Sequence, residues 1–233
     1  MIQHNKSYSN KVKLFFDNTD NYLKNNYNIF LRKNIIKTLI GSKKGRSILD
    51  VGCGNGELSI NYLIDNEVDF FDLSKSMLDI IKNKLKNKEL EKSRFINGEF
   101  LVHNFDKKYD AIIIIGVLAH VDSIESVVKK ASRLLNKDGT VIFQITNNSN
   151  IMGKLLIFYY NFISKIKNTH LLNSIKLKDF LNTLDNCEMK VEEFISYSSL
   201  LPGMGKLSPK LQKFFQKKTL KNYVSIFGSE VFI

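Results

Sequence analysis

The chain has 233 residues, 43% of them hydrophobic and 25% charged, which fits one globular α/β domain. Its formal net charge is +12, but only four of its 35 basic residues are arginine, the residue expected where phosphates or bases are recognised through paired hydrogen bonds. Two cysteines exclude a disulfide scaffold, the first residues lack the apolar core of a signal peptide, and no apolar run is long enough to span a bilayer. We therefore expect a reducing, cytoplasmic compartment.

The first 46 residues have apolar side chains at roughly helical spacing, among them Phe16, Tyr22, Leu31 and Ile36. This pattern predicts an N-terminal helical cap over residues 1–46, packed on a sheet.

Residues 48–57, which read ILDVGCGNGE, contain an apolar run with one acid and then three glycines at alternate positions. The pattern predicts a buried strand over 47–51, a tight turn, and a helix from about Leu58. Glycine allows positive φ angles and lets a ligand approach the backbone closely. The spacing G-x-G-x-G is neither the G-x-G-x-x-G of dinucleotide enzymes nor a Walker loop, so the stretch predicts a nucleotide-type binding loop of another kind.

The next predicted strand covers residues 67–72 and ends at Asp72, with Ser74 as the predicted cap of a helix over about 75–88. An acid about twenty residues beyond such a loop is where a ribose diol is bound in these folds. Asp69 competes for this role, but it lies in the middle of the strand.

These residues carry a family resemblance. With Asp50 two residues before the first glycine, the loop resembles motif I of the class I S-adenosylmethionine (SAM) methyltransferases. The run Asp72–Leu78 (DLSKSML) is similar to their ribose-binding motif D-L-S-x-x-M-L. The resemblance implies a Rossmann-like α/β fold with a seven-stranded, mostly parallel sheet, helices on both faces, an antiparallel last strand, and SAM as the cofactor.

Further motifs follow in the family's order. The predicted third strand leads to Glu99, where the family often has an acid that binds the adenine amino group; an exposed turn acid is the alternative. The β-branched run 109–115 predicts a central strand, and Gly116–Val121 (GVLAHV) resembles motif IV. A predicted helix over 123–135 then leads into strand 5, where Gly139 keeps one glycine of the family's turn.

The resemblance also implies individual site residues. His120 follows the carboxyl end of strand 4 and is the candidate catalytic base, although a histidine there could instead orient a loop. His170 is a weaker candidate, and Arg32 either meets the SAM carboxylate or lies on the surface. Tyr22 falls in a segment that resembles F-D-x-x-A-x-x-Y, displaced by one position and with Asp20 in place of the small residue. The implied cofactor residues are Tyr22, Asp50, Gly52, Cys53, Gly54, Gly56, Asp72, Leu73, Met77, Glu99, Phe100 and Gly116.

Beyond strand 5 the pattern changes. We assign residues 47–146 to the SAM-binding core of a single domain over 1–233, and residues 147–175 and 198–221 to lid or substrate inserts. The aromatic segment 151–163 is a lid, an interfacial helix that contacts a membrane peripherally, or a packed accessory helix. A helix over 176–186, a strand over 190–197 and a last strand over 223–233 complete the prediction.

The function expected from the resemblance is methyl transfer to oxygen or nitrogen of a small-molecule or lipid-like acceptor. DNA is disfavoured as a substrate because the motifs of DNA methyltransferases are missing. The adenine type carries the motif [DNS]-P-P-[YFW], but the two prolines here are not adjacent, and the cytosine-C5 type needs a Pro-Cys nucleophile, but neither cysteine follows a proline. RNA or protein methylation and a non-catalytic SAM-binding subunit stay open, as does the oligomeric state. Asp122 is the only acid near the carboxyl end of strand 4, so no metal site is expected.

Overall fold

The computed structural model describes residues 26–149, 173–197 and 230–233, together with positions 154, 157–159, 161, 162 and 211. The strands are β1 (Ser47–Val51), β2 (Glu67–Asp72), β3 (Ser93–Asn97), β4 (Tyr109–Ile114), β5 (Leu135–Thr146), β6 (Ile195–Tyr197) and β7 (Glu230–Phe232). The helices are α1 (Asn26–Ile40), α2 (Lys75–Lys84), α3 (Asn87–Leu90), α4 (Ile124–Leu134) and α5 (Leu177–Asp185), with 3-10 helices at Ile60–Ile64 and Leu118–His120.

The strands form one seven-stranded sheet in the order β3-β2-β1-β4-β5-β7-β6. Strands β1 to β5 are parallel, with Asp50 of β1 opposite Phe70 of β2 and Ile113 of β4. Strand β7 runs antiparallel to both neighbours, β5 and β6. The predicted α/β architecture is therefore confirmed. The strand order reverses between β1 and β4, and the loops that leave these two strands flank the crevice where open α/β sheets bind ligands.

Two hydrophobic cores lie on opposite faces of the sheet, as expected for strands buried on both sides. On one face, α1 and α2 pack Leu31, Ile35 and Ile81 against the strands. On the other face, α4 and α5 pack Val127, Val128 and Phe180. The helices therefore cover both faces of the sheet, and the site is left to the edge where the strands end.

Several element boundaries differ from the prediction. The helix expected from about Leu58 is a short 3-10 helix, Ile60–Ile64, which fits within the ten residues that separate Gly56 from the start of β2 at Glu67. The helix expected over 75–88 ends at Lys84, since Leu85 is extended and a new turn, capped by the Glu89 side chain, starts at Lys86. Strand β6 covers only the end of the predicted 190–197 strand.

The turn into the main part of β5 contains a strained residue. Asp138 has a φ of 63°, a left-handed conformation that glycine adopts without strain. It stands where the family often has glycine. Gly139 follows, and a Cβ added there would lie 3.0 Å from the Asn136 carbonyl oxygen. The turn therefore tolerates aspartate at 138 but has little room for a side chain at 139.

Candidate functional site

The glycine turn after β1 forms a cradle of backbone. Positive φ angles occur at Gly52 (68°), Gly54 (52°) and Gly56 (75°). A Cβ added at Gly52 would come within 2.5 Å of Cγ2 of Val117, the residue after Gly116. The N–H groups of Gly52 and Cys53 donate to the Phe71 carbonyl at 2.7 and 3.2 Å. The turn is thereby fixed to the end of β2 and packed against the segment after β4.

Asp72 lies at the carboxyl end of β2 and faces this turn. Its Oδ2 accepts a hydrogen bond from the Gly54 N–H at 2.8 Å, and its Oδ1 accepts from the Ser74 N–H at 2.8 Å. Because each oxygen of a carboxylate can accept more than one hydrogen bond, a group held in this way is suited to a ribose diol. The competing acid, Asp69, accepts from the Tyr109 hydroxyl at 2.8 Å and from Lys107, and takes no part in the turn.

Asp50 is buried beneath the turn, with 2% of its surface exposed. Its Oδ2 accepts a hydrogen bond of 2.5 Å from the Ser59 hydroxyl. Burial raises the pKa of Asp50, the Ser59 hydrogen bond lowers it, and the nearby Asp72 carboxylate raises it by a smaller amount, so that the pKa rises from 3.8 to about 7. Asp50 therefore supports the cradle from below as an acid that titrates near neutral pH.

Asp50 should make folding depend on pH with a definite sign. Between pH 4 and 7 the Asp50 carboxyl keeps its proton in the folded protein but has lost it in the unfolded chain. Because the folded state binds more protons, the free energy of unfolding falls as pH rises through this range. At 1.36 kcal/mol per pKa unit the effect is roughly 3–4 kcal/mol. We expect Asp50→Asn to gain stability relative to the wild type by that order between pH 4 and 7, measured by urea unfolding at several pH values.

The control for this experiment is Asp110→Asn, because the Ser47 backbone N–H and the Asn136 amide lower the pKa of Asp110. Asp110 therefore stabilises the fold above its ordinary pKa and loses that contribution in acid, the opposite dependence. A pH-independent difference between wild type and Asp50→Asn would contradict the assignment of a buried, titrating Asp50.

The loop after β3 contains the predicted adenine contacts and is tied to Asp72. The Gly98 N–H donates to the Asp72 carbonyl at 3.1 Å, and the Asn97 side chain donates to the same carbonyl and to that of Leu73, both at 3.0 Å. Glu99 is exposed, and the buried Phe100 ring packs edge-on against Phe71 with 6.0 Å between centroids. The exposed Glu99 carboxylate and the neighbouring backbone are accessible to the adenine ring of a nucleoside.

Lys130 of α4 holds the far side of this loop. Its Nζ donates to the Leu101 carbonyl at 3.2 Å and to the His103 carbonyl, and it lies 5.4 Å from the centroid of the Phe100 ring. Burial lowers the pKa of Lys130. The loop is therefore held in place by Asn97 on one side and by Lys130 on the other.

Two further predicted contacts, Leu73 and Met77, flank Asp72. Leu73 is half-buried, while Met77 is buried in the first turn of α2, where its N–H donates to the Ser74 hydroxyl at 3.5 Å. The Cys53 thiol is also buried, which raises its pKa, so this cysteine is a packed neutral group.

Gly116 and His120 lie where β4 ends. Gly116 has a φ of 74°, and a Cβ added there would lie 3.8 Å from Nη1 of Arg32. Three residues beyond Val117, the 3-10 helix ends at His120, whose side chain is half-buried and whose N–H donates to the Val117 carbonyl at 2.8 Å. Since Val117 contacts the glycine turn, the structure brings His120 into the neighbourhood of that turn.

The described residues that the sequence predicts to bind the cofactor therefore lie along one edge of the sheet. They offer a backbone cradle that a Cβ at Gly52 would fill, the Asp72 carboxylate and the exposed Glu99 carboxylate, and this set fits a nucleoside such as that of SAM. Tyr22 and His170 lie outside the described residues. Within the described part of the chain, no group of three or more histidine, cysteine or acidic side chains is placed to bind a metal, and no helix is long and apolar enough to cross a membrane.

The aromatic segment is helical at the positions described between 154 and 162. Phe158 and Phe162 stack with 6.4 Å between ring centroids, and 72% and 54% of their surfaces are exposed. Lys154 is exposed beside them. Exposed aromatic rings are expected for a lid or for an interfacial helix, and they are unlike a packed accessory helix.

Three polar residues near the site were not singled out from the sequence. Glu57 joins the turn to two helices, since its carboxylate accepts from Lys33 of α1 at 2.6 Å and from Lys84 of α2 at 3.3 Å. Gln144 and Glu230 are buried and paired at the carboxyl end of β5. The sequence did contain a sign of these two residues, because Gln144 and Glu230 are single polar residues within otherwise apolar strands.

Comparison with known proteins agrees with the family resemblance found in the sequence. A family model described as a methyltransferase domain matches residues 49–141. An uncharacterized protein of Methanocaldococcus jannaschii is 30% identical over 93% of this chain and 88% of its own length. A ubiquinone biosynthesis O-methyltransferase of Alkalilimnicola ehrlichii is 33% identical over 51% of this chain and 49% of its own, so the chain spans about half the length of that relative.

Solved structures share the fold at low sequence identity. A SAM-dependent methyltransferase of Thermotoga maritima superposes with a TM-score of 0.65 at 16% identity, over 94% of this chain and 96% of its own. The magnesium protoporphyrin IX methyltransferase of Synechocystis, solved with bound S-adenosylhomocysteine, gives a TM-score of 0.59 at 18% identity, over 75% and 78%.

Proposed function

Because the chain belongs to the class I SAM-dependent methyltransferases, we propose that it transfers the SAM methyl group to an oxygen or nitrogen atom of a small-molecule or lipid-like acceptor. The observation that carries the proposal is the Asp72 carboxylate, held against the glycine turn by the N–H groups of Gly54 and Ser74. It sets up a ribose site beside the end of β4, where an acceptor would meet the cofactor. The resembling O-methyltransferase supports oxygen as the acceptor atom.

In this mechanism SAM supplies an already activated methyl group. The chain's task is to align a nucleophile with that group and exclude water, which is where most of the rate acceleration comes from. A neutral hydroxyl also loses a proton during transfer, and we assign its removal to His120 at the end of the 3-10 helix. We propose the cofactor contacts named from the sequence, with Asp72 on the ribose and Glu99 on the adenine.

The scarcity of arginine supports a small acceptor over RNA, because only four of the 35 basic residues are arginine and arginine is the residue expected for paired hydrogen bonds to phosphates or bases. Beside the glycine turn, Lys33 and Lys84 share the Glu57 carboxylate. The two free cysteines support the cytoplasm as the compartment. We further propose that residues 147–175 and 198–221 form the acceptor side of the same domain, with the aromatic segment as a lid that a membrane surface can also contact.

The test uses SAM carrying a labelled methyl group. The protein is incubated with phenols, catechols and primary amines, and in parallel with total RNA and with a protein extract. We expect the labelled methyl group in a product of one of the phenols, catechols or amines, and none in RNA or protein. Label in acid-precipitable RNA would replace the proposal by RNA methylation, and SAM binding with no transfer to any of these acceptors would favour a non-catalytic subunit.

A further inference from the structure

A buried polar cluster interrupts the apolar face of the sheet beneath α1. Its members are Gln144 and Thr146 at the carboxyl end of β5 and Glu230 at the start of β7. Gln144 and Glu230 are 4% and 9% exposed, and the surrounding core is aliphatic and aromatic, including Leu31, Ile142 and Phe232. A carboxylate placed there has lost most of its hydration, so the folded chain must provide other partners.

The cluster contains more hydrogen-bond acceptors than donors. Gln144 Nε2 donates to Glu230 Oε2 at 2.6 Å, and the Thr146 hydroxyl donates to Glu230 Oε1 at 3.4 Å. Only the NH₂ end of the Gln144 amide can face a carboxylate, so its Oε1 must point away. Among the described residues this buried oxygen has no hydrogen-bond partner. A buried hydrogen-bond acceptor without a partner destabilises the fold, so a ligand that supplied the donor would be bound favourably there.

The cluster lies at the same edge of the sheet as the predicted active site. Thr146 is the last residue of β5, the strand next to β4, and Gly116 follows the end of β4. Arg32 links the two positions: Nη1 lies 3.8 Å from the position of a Cβ on Gly116, and its charge lowers the pKa of Glu230. Burial has the larger effect and raises the pKa of Glu230. The side chains of the cluster, which accept hydrogen bonds, therefore lie next to the segment that leads to His120.

We infer that Glu230, Gln144 and Thr146 form a specificity site that binds a hydrogen-bond donor, an amino or hydroxyl group, on the methyl acceptor. The inference rests on the proposed function and narrows its substrate class. Gln144 Oε1 accepts the hydrogen bond of this donor, and the Glu230 carboxylate on the other end of the Gln144 amide adds electrostatic attraction when the donor is cationic. The apolar side chains around the cluster would contact the carbon skeleton of the methyl acceptor. A methyl acceptor that presents a carboxylate at this position is disfavoured, because it brings no donor for Gln144 Oε1 and adds a second negative charge where the single Arg32 charge already faces Glu230.

The experiment compares three probes of one shape, benzylamine, benzyl alcohol and benzoate, binding to the protein saturated with S-adenosylhomocysteine. Dissociation constants are measured by ligand-observed NMR. In the wild type we expect both donors to bind at least about tenfold more tightly than benzoate, as one charge-assisted hydrogen bond would give. In Glu230→Gln, which keeps the size but removes the charge, benzylamine should weaken about tenfold while benzyl alcohol changes less than about threefold. Glu67→Gln, an exposed acid at the start of β2, is the matched control.

The outcomes separate this inference from the proposed function. If S-adenosylhomocysteine itself does not bind, the proposed function fails. If it binds but the wild type shows no preference for the donors, or binds none of the three probes, the inference is overturned, and this comparison needs no variant. An unchanged ratio of benzylamine to benzyl alcohol affinity in Glu230→Gln would reduce the cluster to a structural pair.

Discussion

Asp72→Ala is expected to lose SAM affinity by at least about 100-fold, since hydrogen bonds to a charged group contribute about 1.5–3 kcal/mol each and a ribose diol can make two. The effect should be large because the Gly54 and Ser74 N–H groups fix this carboxylate in position before any ligand arrives. Binding without reorganisation gives more affinity per contact. The measurement is calorimetric titration with SAM and with S-adenosylhomocysteine.

Two controls keep this result interpretable. Alanine also leaves two backbone N–H groups without their acceptor, so the melting temperature must be measured alongside. Asp72→Asn retains an oxygen for one of them and should keep the fold while still losing most of the affinity. Asp65→Ala removes an exposed acid that pairs with Lys44 and should bind SAM as the wild type does. Wild-type affinity in a folded Asp72→Ala would remove the ribose assignment.

His120→Ala should lower the turnover number about 100-fold or more while SAM affinity stays within about twofold, because general-base catalysis typically contributes a factor of 10²–10⁴. His120 lies three residues beyond Val117, which contacts the glycine turn at Gly52, and is itself outside that turn. The measurement is single-turnover methyl transfer to the best acceptor found with labelled SAM, together with calorimetry.

The pH profile distinguishes a base from a residue that orients the loop. With a histidine base the wild-type rate falls on the acid side, and His120→Ala should flatten that limb. Loss of loop order would instead raise KM and leave the profile unchanged. His4→Ala serves as the comparison, since no motif places His4 in the site. A turnover number within threefold of the wild type in His120→Ala would refute the role of base.

The parts of the site that the sequence predicted are those in which short-range sequence determines geometry. The glycine turn follows from motif spacing after β1, and Asp72 and Ser74 follow from motif spacing between β2 and α2; all lie at the same edge of the sheet. Strand and helix identities followed from hydrophobic periodicity, although the ends of the second helix and of β6 did not. Those ends depend on single side chains, such as the Glu89 cap at Lys86.

The polar cluster could not be predicted in the same way. Gln144 and Glu230 are 86 residues apart in the chain, and only the antiparallel pairing of β5 with β7 brings them together. The register decides which face each residue occupies, and a shift of β7 by one residue would move Glu230 to the other face, away from Gln144. Likewise, nothing in the spacing of Lys33, Glu57 and Lys84 reveals that two helices meet at one carboxylate.

The contact between Gly52 and Val117 limits how this protein can diverge. A methyl group at position 52 would lie only 2.5 Å from Cγ2 of Val117 and would collide with it. Whether Gly52 can be substituted therefore depends on which residue occupies position 117. A smaller residue at 117 would make room for a side chain at 52, but the φ of 68° would still disfavour it. A steric clash and an unfavourable backbone conformation therefore both oppose substitution of Gly52. An evolutionary change of this turn would have to begin with a smaller residue at position 117, which lies next to the proposed acceptor site.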